Sequence, residues 1–404
     1  MSQSVAALPA SLGGAPLFSP PLPMASPRLP DPAVLLPRFE RILSSGHLTK
    51  GAELQGFEQE AAAYLKVAHA VGVSSCTSGL MLVYQALRRR ISPEIVKPRI
   101  AVPSFTFMAS VSAMLWAGFE PEFVEVDPAS MNLCLDDLQK VLQDKNVVAV
   151  VGVHCFGNPV PSASIEAVCS EAEVRLIFDA AHGFGSVHQG EPVGGAGWCQ
   201  VYSLTPTKMV VAGEGGVVAT NDAELARELE IAREYGNDGS YDSLMAGMNA
   251  RLSEMHSALA RESLKMLEEV VAFRNTAAEE LKAALEGTPG LLFQQITADS
   301  RTTYKDFTIA IEPEAFGCSR DAMAWALGRE GVPSRAYFHP PCHQHTAYRA
   351  FARRPLPRTE QLASRCLSIP LLGSETTAGL AEALRRIQAH GAGVQAAYEA
   401  SLER

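Results

Sequence analysis

Between residues 71 and 220 the chain alternates short apolar, β-rich runs with stretches whose apolar residues recur at helical spacing. Residues 99–103 (Arg-Ile-Ala-Val-Pro) predict a strand that breaks at its proline. Residues 105–118 then predict a helix closed by glycine, and residues 121–126 the next strand. Residues 147–153 form a nearly continuous apolar run, the pattern of a strand buried on both faces. Residues 162–171 predict a helix and residues 175–178 a further strand. Strands and helices alternating at this spacing predict an α/β layer around a mainly parallel sheet.

A different pattern begins near Ser253. Residues 255–281 carry apolar positions at helical spacing over a length suited to bridging two domains. Beyond them, residues 306–311, 320–330 and 367–370 predict a smaller α+β domain. The first 32 residues are rich in Pro, Ala and Ser. Pro20-Pro21 and Pro27-Arg28-Leu29-Pro30-Asp31-Pro32 there favour an extended arm over a packed element. The expected organisation is therefore an arm (1–32), a large domain (33–270) and a small C-terminal domain (271–404), with the helix 255–281 between them.

Composition narrows the function classes. With 404 residues, 47% of them hydrophobic, the chain can bury a large core. A net charge of −10 without a long Lys/Arg block argues against nucleic acid as a partner. A diphosphate-bearing substrate would then depend on local donors. The arm lacks the charged and apolar regions of a signal peptide, and no apolar run approaches the ~18 residues that cross a bilayer. A soluble, cytoplasmic protein without membrane contact is expected. The eight cysteines are scattered without a CxxC pair, which favours reduced thiols. Cys342-His343-Gln344-His345 resembles a ligand cluster but lacks a second pair at zinc spacing, so no metal is expected.

Candidate chemistry centres on Ser203-Leu204-Thr205-Pro206-Thr207-Lys208, followed by Gly213-Glu214-Gly215-Gly216. A lysine just past a strand, behind hydroxyls and ahead of a glycine turn, suits a Schiff base with an aldehyde cofactor. Its amine must be neutral part of the time, which needs a desolvated, electropositive setting. A solvated surface lysine is the plain alternative. Three further segments bear on the choice. Cys76-Thr77-Ser78-Gly79 precedes a helical pattern and offers N–H groups and hydroxyls to a phosphate, or is an ordinary helix cap. In Phe178-Asp179-Ala180-Ala181-His182, a carboxylate facing a pyridine nitrogen would keep it protonated, two alanines allow a flat ring close, and His182 can reach a ring hydroxyl. Phe105-Thr106-Phe107 supplies an aromatic face or simply core. In an open α/β sheet these residues collect beyond the carboxyl ends of the strands.

In this order the segments resemble the sugar-nucleotide aminotransferases of the DegT/StrS type, among the fold-type-I pyridoxal phosphate enzymes. The resemblance runs from about Leu48 to the C-terminus. It includes Pro103 to Phe107, Gly152-Val153-His154-Cys155-Phe156-Gly157-Asn158-Pro159 and Gly247-Met248-Asn249-Ala250-Arg251-Leu252-Ser253-Glu254. It implies that Lys208 forms the Schiff base with pyridoxal phosphate and that Asp179 pairs with the ring nitrogen. His182 would lie near the ring oxygen, Phe107 would stack on the ring, and Thr77, Ser78 and Ser203 would hold the phosphate. Asn249 would complete the phosphate site of a neighbouring subunit, so a homodimer with shared active sites is implied. The implied reaction moves an amino group from L-glutamate to a nucleotide-linked keto-sugar. The segment Ser334-Arg335-Ala336-Tyr337-Phe338-His339-Pro340-Pro341-Cys342-His343 is similar to one in enzymes acting at C4 of a dTDP-4-keto-6-deoxyhexose. Cys76 stands where the family commonly has glycine, and Thr205 where it often has histidine. An aminocyclitol aminotransferase and a non-catalytic cofactor-binding regulator remain as alternatives. A deoxysugar dehydratase is a third, but those proteins typically carry histidine at the position of Lys208.

Overall fold

A computed structural model describes residues 7–403, so residues 1–6 of the expected arm and the last residue of the small domain lie outside it. The large domain is built on strands β1 (His69–Val73), β2 (Arg99–Pro103), β3 (Glu120–Val124), β4 (Val147–Val153) and β5 (Arg175–Asp179). Two short strands follow, β6 (Val187–His188) and β7 (Glu191–Pro192), then β8 (Cys199–Ser203) and β9 (Gly216–Thr220). The small domain adds β10 (Leu291–Phe293), β11 (Ser300–Arg301), β12 (Phe307–Ile311) and β13 (Cys366–Ile369).

The central sheet has seven strands in the order β1-β9-β8-β5-β4-β2-β3. Strands β3, β2, β4, β5 and β8 run parallel. Strand β9 is antiparallel to both its neighbours. Alternate residues of each strand feed two separate cores, as a period of two requires. Val151 and Val153 enter one core with Val102 and Ile177, while Val150 enters the other with Phe178 and Ala101. Both faces are therefore apolar, which is why residues 147–153 read as an unbroken run.

The expected bridging helix is two helices, Glu254–Lys265 and Leu267–Leu285, parted at Met266. The second does the bridging: Leu267, Val270 and Val271 pack in the large-domain core, and Ala277, Ala278 and Leu281 in the small-domain core. Between them Arg274 donates to the carbonyls of Tyr304 (2.9 Å), Lys305 (3.1 Å) and Leu371 (3.1 Å). Burial pushes its guanidinium down to about 10. These bonds tie the helix to three backbone carbonyls of the small domain and so fix the junction. The small domain is the antiparallel sheet β10-β12-β13 with helices over it, and β11 pairs with β6 in a separate three-stranded sheet.

The arm is packed, contrary to the reading of an extended segment lying free. Leu12, Leu17, Phe18 and Leu22 rest on the small-domain core. The buried Glu330 carboxylate accepts the N–H groups of Ala10 (2.8 Å) and Leu17 (3.0 Å). Phe18 donates to the Glu330 carbonyl (3.0 Å) and Leu22 to that of Gly331 (2.9 Å). Gly331 has φ +78°, and a Cβ there would stand 2.2 Å from the Phe18 carbonyl oxygen. The prolines keep the arm extended, but apolar residues a few positions apart and a buried carboxylate give it a surface to hold. The arm then passes Met24–Arg28 and enters the helix Pro32–Ser45, capped by Asp31. Among the described residues no helix is long and apolar enough to cross a membrane.

Glu330→Ala would leave two N–H groups without their charged acceptor. It should cost about 3 kcal/mol in urea unfolding and open residues near Ala10 and Leu17 to proteolysis. Unchanged stability would mean that the arm is held by its apolar anchors alone.

Candidate active site

Asp179 is the last residue of β5 and Ser203 the last of β8, so both stand at the carboxyl edge of the parallel strands. Past β8 the chain runs out as residues 204–215 and returns as β9. The loop is closed by Leu204 N–H to Gly215 O (3.0 Å) and Ala212 N–H to Leu204 O (2.8 Å), and it carries Lys208. The helix Cys76–Arg88 points its N-terminus at the same edge. Its start is fixed against β9, since a Cβ on Gly216 would lie 2.6 Å from the Cys76 nitrogen.

These elements enclose a cavity of about 340 Å³ lined by Thr77, Phe107, Asp179, His182, Ser203 and Lys208 among others. Six residues singled out from the sequence thus meet around one space. Phe107 caps its helix with half its surface exposed, leaving a ring face open to the cavity. Two of the singled-out residues do not line it. Ser78 turns back on Ser75, accepting its N–H (3.0 Å) and donating to its carbonyl (2.8 Å) in a capping box. Ser75 and Cys76 line the cavity in its place. Asn249 is exposed on a segment bridged to Glu234, away from this cavity.

The electrostatics follow from burial. The Asp179 carboxyl is 5% exposed and is pushed up by desolvation. That rise is opposed by Ser110, whose hydroxyl donates at 2.6 Å, and by the Ala181 N–H at 3.1 Å. The Cys76 thiol sits 3.9 Å from the same carboxylate and is held protonated by burial. Lys208 is pushed down to about 8, first by burial and then by the like charge of Lys305. His182 is held well below its ordinary value by burial and both lysines, so its ring is neutral. Its Nδ1 is buried without a hydrogen-bond partner.

This donor set fits pyridoxal phosphate. The partnerless His182 Nδ1 belongs to a residue lining the cavity and is open to a hydrogen-bonding ring substituent, and the buried Asp179 forms no salt bridge among the described residues. Lys208 is partly neutral near physiological pH, as carbonyl attack requires. The hydroxyls of Thr77, Ser203 and Thr205 gather near a helix N-terminus, the usual setting for a phosphate.

Several residues of the site carry no mark in the sequence, among them Ser110, which supports Asp179 from behind the cavity wall. Ser110 lies three residues past Phe107, so the first helical turn turns it toward Asp179. Lys305 and Asp306 precede β12 and line the cavity with Tyr337 and Phe338. No local pattern marks them, because the small domain brings them there by tertiary packing. The tract Cys342–His345 proves to be a clasp. His343 Nδ1 and the Ser104 hydroxyl are 2.7 Å apart, and its Nε2 lies 3.1 Å from Glu360. The Cys342 N–H donates to Ser104 O (2.8 Å). This clasp ties the Tyr337–Phe338 segment to the strand end that carries Phe107.

The model of the DegT/DnrJ/EryC1/StrS aminotransferase family matches residues 33–388. The chain is 32% identical to UDP-N-acetyl-3-dehydro-alpha-D-glucosamine 3-aminotransferase of Acidithiobacillus ferrooxidans, over 87% of this chain and 93% of that protein. It is also 32% identical to dTDP-3-amino-3,4,6-trideoxy-alpha-D-glucose transaminase of Streptomyces venezuelae, over 82% and 85%. Among solved structures it is similar to DesI in the presence of its TDP-sugar product, with a TM-score of 0.89 and 33% identity, covering 96% of this chain and 98% of that one.

The lowered Lys208 predicts a pH dependence. Because the free amine is the reactive form, capture of pyridoxal phosphate by the cofactor-free protein should rise with pH through about 8 and level off above it. Borohydride trapping across that range measures it. A rise centred near the ordinary 10.5 would contradict the desolvated setting.

Proposed function

The chain belongs to the DegT/DnrJ/EryC1/StrS aminotransferase family, and from that footing we propose that it uses pyridoxal phosphate to move an amino group from L-glutamate to C4 of a nucleotide-linked 4-keto-6-deoxyhexose. The observation that carries the reading is the meeting of Lys208, Asp179 and the partnerless His182 Nδ1 around one cavity. Bound pyridoxal phosphate supplies an electron sink for the charge left when a proton departs from the amino carbon.

The protein supplies the rest. Lys208 Nζ would hold the cofactor's aldehyde carbon until the donor's amine displaces it, and the freed amine would then take the proton from the donor's α-carbon and return one on the acceptor side. Asp179 holds a positive ring nitrogen, and that charge in turn keeps the buried carboxylate ionised. His182 faces the ring oxygen through Nδ1. Thr77, Ser203 and the first amides of the helix Cys76–Arg88 hold the phosphate, with Ser75 and Thr205 beside them. Phe107 covers a ring face. The Ser78 hydroxyl serves this site indirectly, by fixing the helix start. The two substrates take turns in one pocket, as in a ping-pong reaction.

A homodimer with shared sites is part of the proposal. Asn249 is exposed where a second copy could use it, and Phe107 and Met108 are exposed together at the start of the helix Met108–Trp116. Apolar side chains at that density next to an active site suit a covered face. The C4 assignment is supported by the segment 334–343, whose Tyr337 and Phe338 line the cavity where a sugar would lie. Amination at C3 is the second reading, favoured by the two relatives named for 3-amino and 3-keto sugars.

Purified protein should show a visible band that borohydride abolishes, and Lys208→Ala should lose the reducible covalent link. Incubation with glutamate and a panel of nucleotide-linked 3-keto and 4-keto sugars, followed by mass analysis, should show amination of a 4-keto member. Amination of 3-keto sugars only would move the assignment to C3. No amination of any sugar would defeat the substrate class.

A further inference from the structure

Lys305 and Asp306 form a salt bridge inside the candidate site. The Lys305 ammonium lies 3.0 and 2.9 Å from the two Asp306 oxygens, and each side chain is only 9% exposed. Their backbone is held from both domains. The Lys305 N–H donates to Phe156 O (3.0 Å), and Arg274 grips the carbonyls of Tyr304 and Lys305. The pair lines the cavity that holds Asp179 and His182. Together with Thr207, Lys208 and Tyr337 it also lines a second cavity, of about 300 Å³, beneath arm residues Met24 to Arg28 and against Phe273. Lys305 thus stands on the wall common to both spaces.

Positive charge is scarce in the first cavity, whose lining also carries the carboxylates Asp179, Glu214 and Asp306, whereas the second adds Arg28 and Arg274. Among the described residues lining the first cavity, the lysines are Lys208 and Lys305, there is no arginine, and His182 is neutral. Lys208 is committed to the cofactor and to proton transfer. An amino acid must place a carboxylate on the very carbon that loses its proton. Burying that charge without a cation would cost several kcal/mol. A keto-sugar carries no charge at its reacting carbon, and a bare buried ammonium beside it would be equally unfavourable. A lysine with a resident carboxylate meets both demands, because it can turn to the substrate's anion or back to its own.

We propose that Lys305 is the residue that binds the α-carboxylate of the amino donor, with Asp306 as the counter-ion that takes it back when the keto-sugar occupies the pocket. The proposal rests on the reading of an amino acid and an uncharged carbonyl carbon as alternating partners of one site.

The two half-reactions separate it from other roles. Each can be followed by cofactor absorbance, one with L-glutamate and one with the nucleotide-linked amino sugar in the reverse direction. Lys305→Met should lower the specificity constant for glutamate by about 100-fold, the scale of removing one partner of a buried charge pair. It should change that for the amino sugar by less than about 3-fold, and Lys305→Arg should recover most of the glutamate rate. Glutarate, which binds without reacting, gives a readout free of turnover. Calorimetric titration should show weaker glutarate binding in Lys305→Met and tighter binding in Asp306→Asn, where the competing carboxylate is gone. Equal losses in both half-reactions would mean that Lys305 acts only by setting the protonation of Lys208, and would overturn the proposal. Glutarate binding indifferent to both substitutions would also overturn it. A wild-type protein that reacts with glutamate in a Lys305-dependent way, but with no amino sugar, would defeat the substrate reading and leave this one standing.

Discussion

Burial at the carboxyl edge of the parallel strands drives a lysine and an aspartate in opposite directions, both toward neutrality. Lys208 falls to about 8 and Asp179 rises. Neither change is useful by itself. Together they define a space that takes a carbonyl at one end and a positive ring nitrogen at the other. The neutral His182 and its unfilled Nδ1 add a hydrogen-bonding group between them. A group with those three features would satisfy each of these residues, so the desolvation that makes the lysine reactive would also favour such a group in the site.

The fold builds that pocket from strand ends. Parallel order places the carboxyl ends of β4, β5 and β8 side by side, which is where Val153, Asp179 and Ser203 collect. The reversal into β9 forces a loop exactly one strand beyond Asp179, and Lys208 lies on it. Close contact between Gly216 and the start of the helix Cys76–Arg88 then fixes that helix N-terminus relative to the lysine loop. Ser110, one turn into the following helix, keeps the Asp179 carboxylate aimed. Each positioning residue belongs to a rigid element, so the site inherits the precision of the sheet.

Local pattern was legible wherever one physical cause dominated. The strands Arg99–Pro103 and Val147–Val153 and the helix Ser162–Glu171 match their expected bounds, because uniform burial or an apolar stripe leaves little competition. The helix expected from residue 105 begins instead at Met108, since Phe105 is core and Phe107 lines the site. The bridging pattern hides a break at Met266, because Ala260 before it and Leu267 and Val270 after it pack in the same core and apolar spacing stays nearly in phase. The arm looked free because proline content sets backbone shape but says nothing of what Phe18 can pack against. Ser78 illustrates the same limit in the site. Thr77 and Ser78 are equally suited to a phosphate by type, and the helix cap decides which one turns inward. Lys305 and Asp306 have no mark in the sequence because their neighbours along the chain carry no chemistry, and the cavity residues they meet, Asp179, His182 and Lys208, come from distant parts of the chain.

An acidic chain that handles anionic substrates has to solve recognition locally. At a net charge of −10 the long-range field offers no attraction to a carboxylate or a diphosphate, and in physiological salt it fades within about 8 Å. Discrimination then falls to the few charges inside the pocket, where low dielectric makes each one count. A fixed, unpaired cation there would favour the amino acid and burden the sugar. A strictly neutral wall would do the reverse. The Lys305–Asp306 pair avoids the choice, since its own bond energy sets how much a substrate carboxylate must offer before the lysine turns. Its backbone is moored to Phe156 and to Arg274, so the pair keeps a fixed position at the pocket wall and only the lysine side chain has to turn.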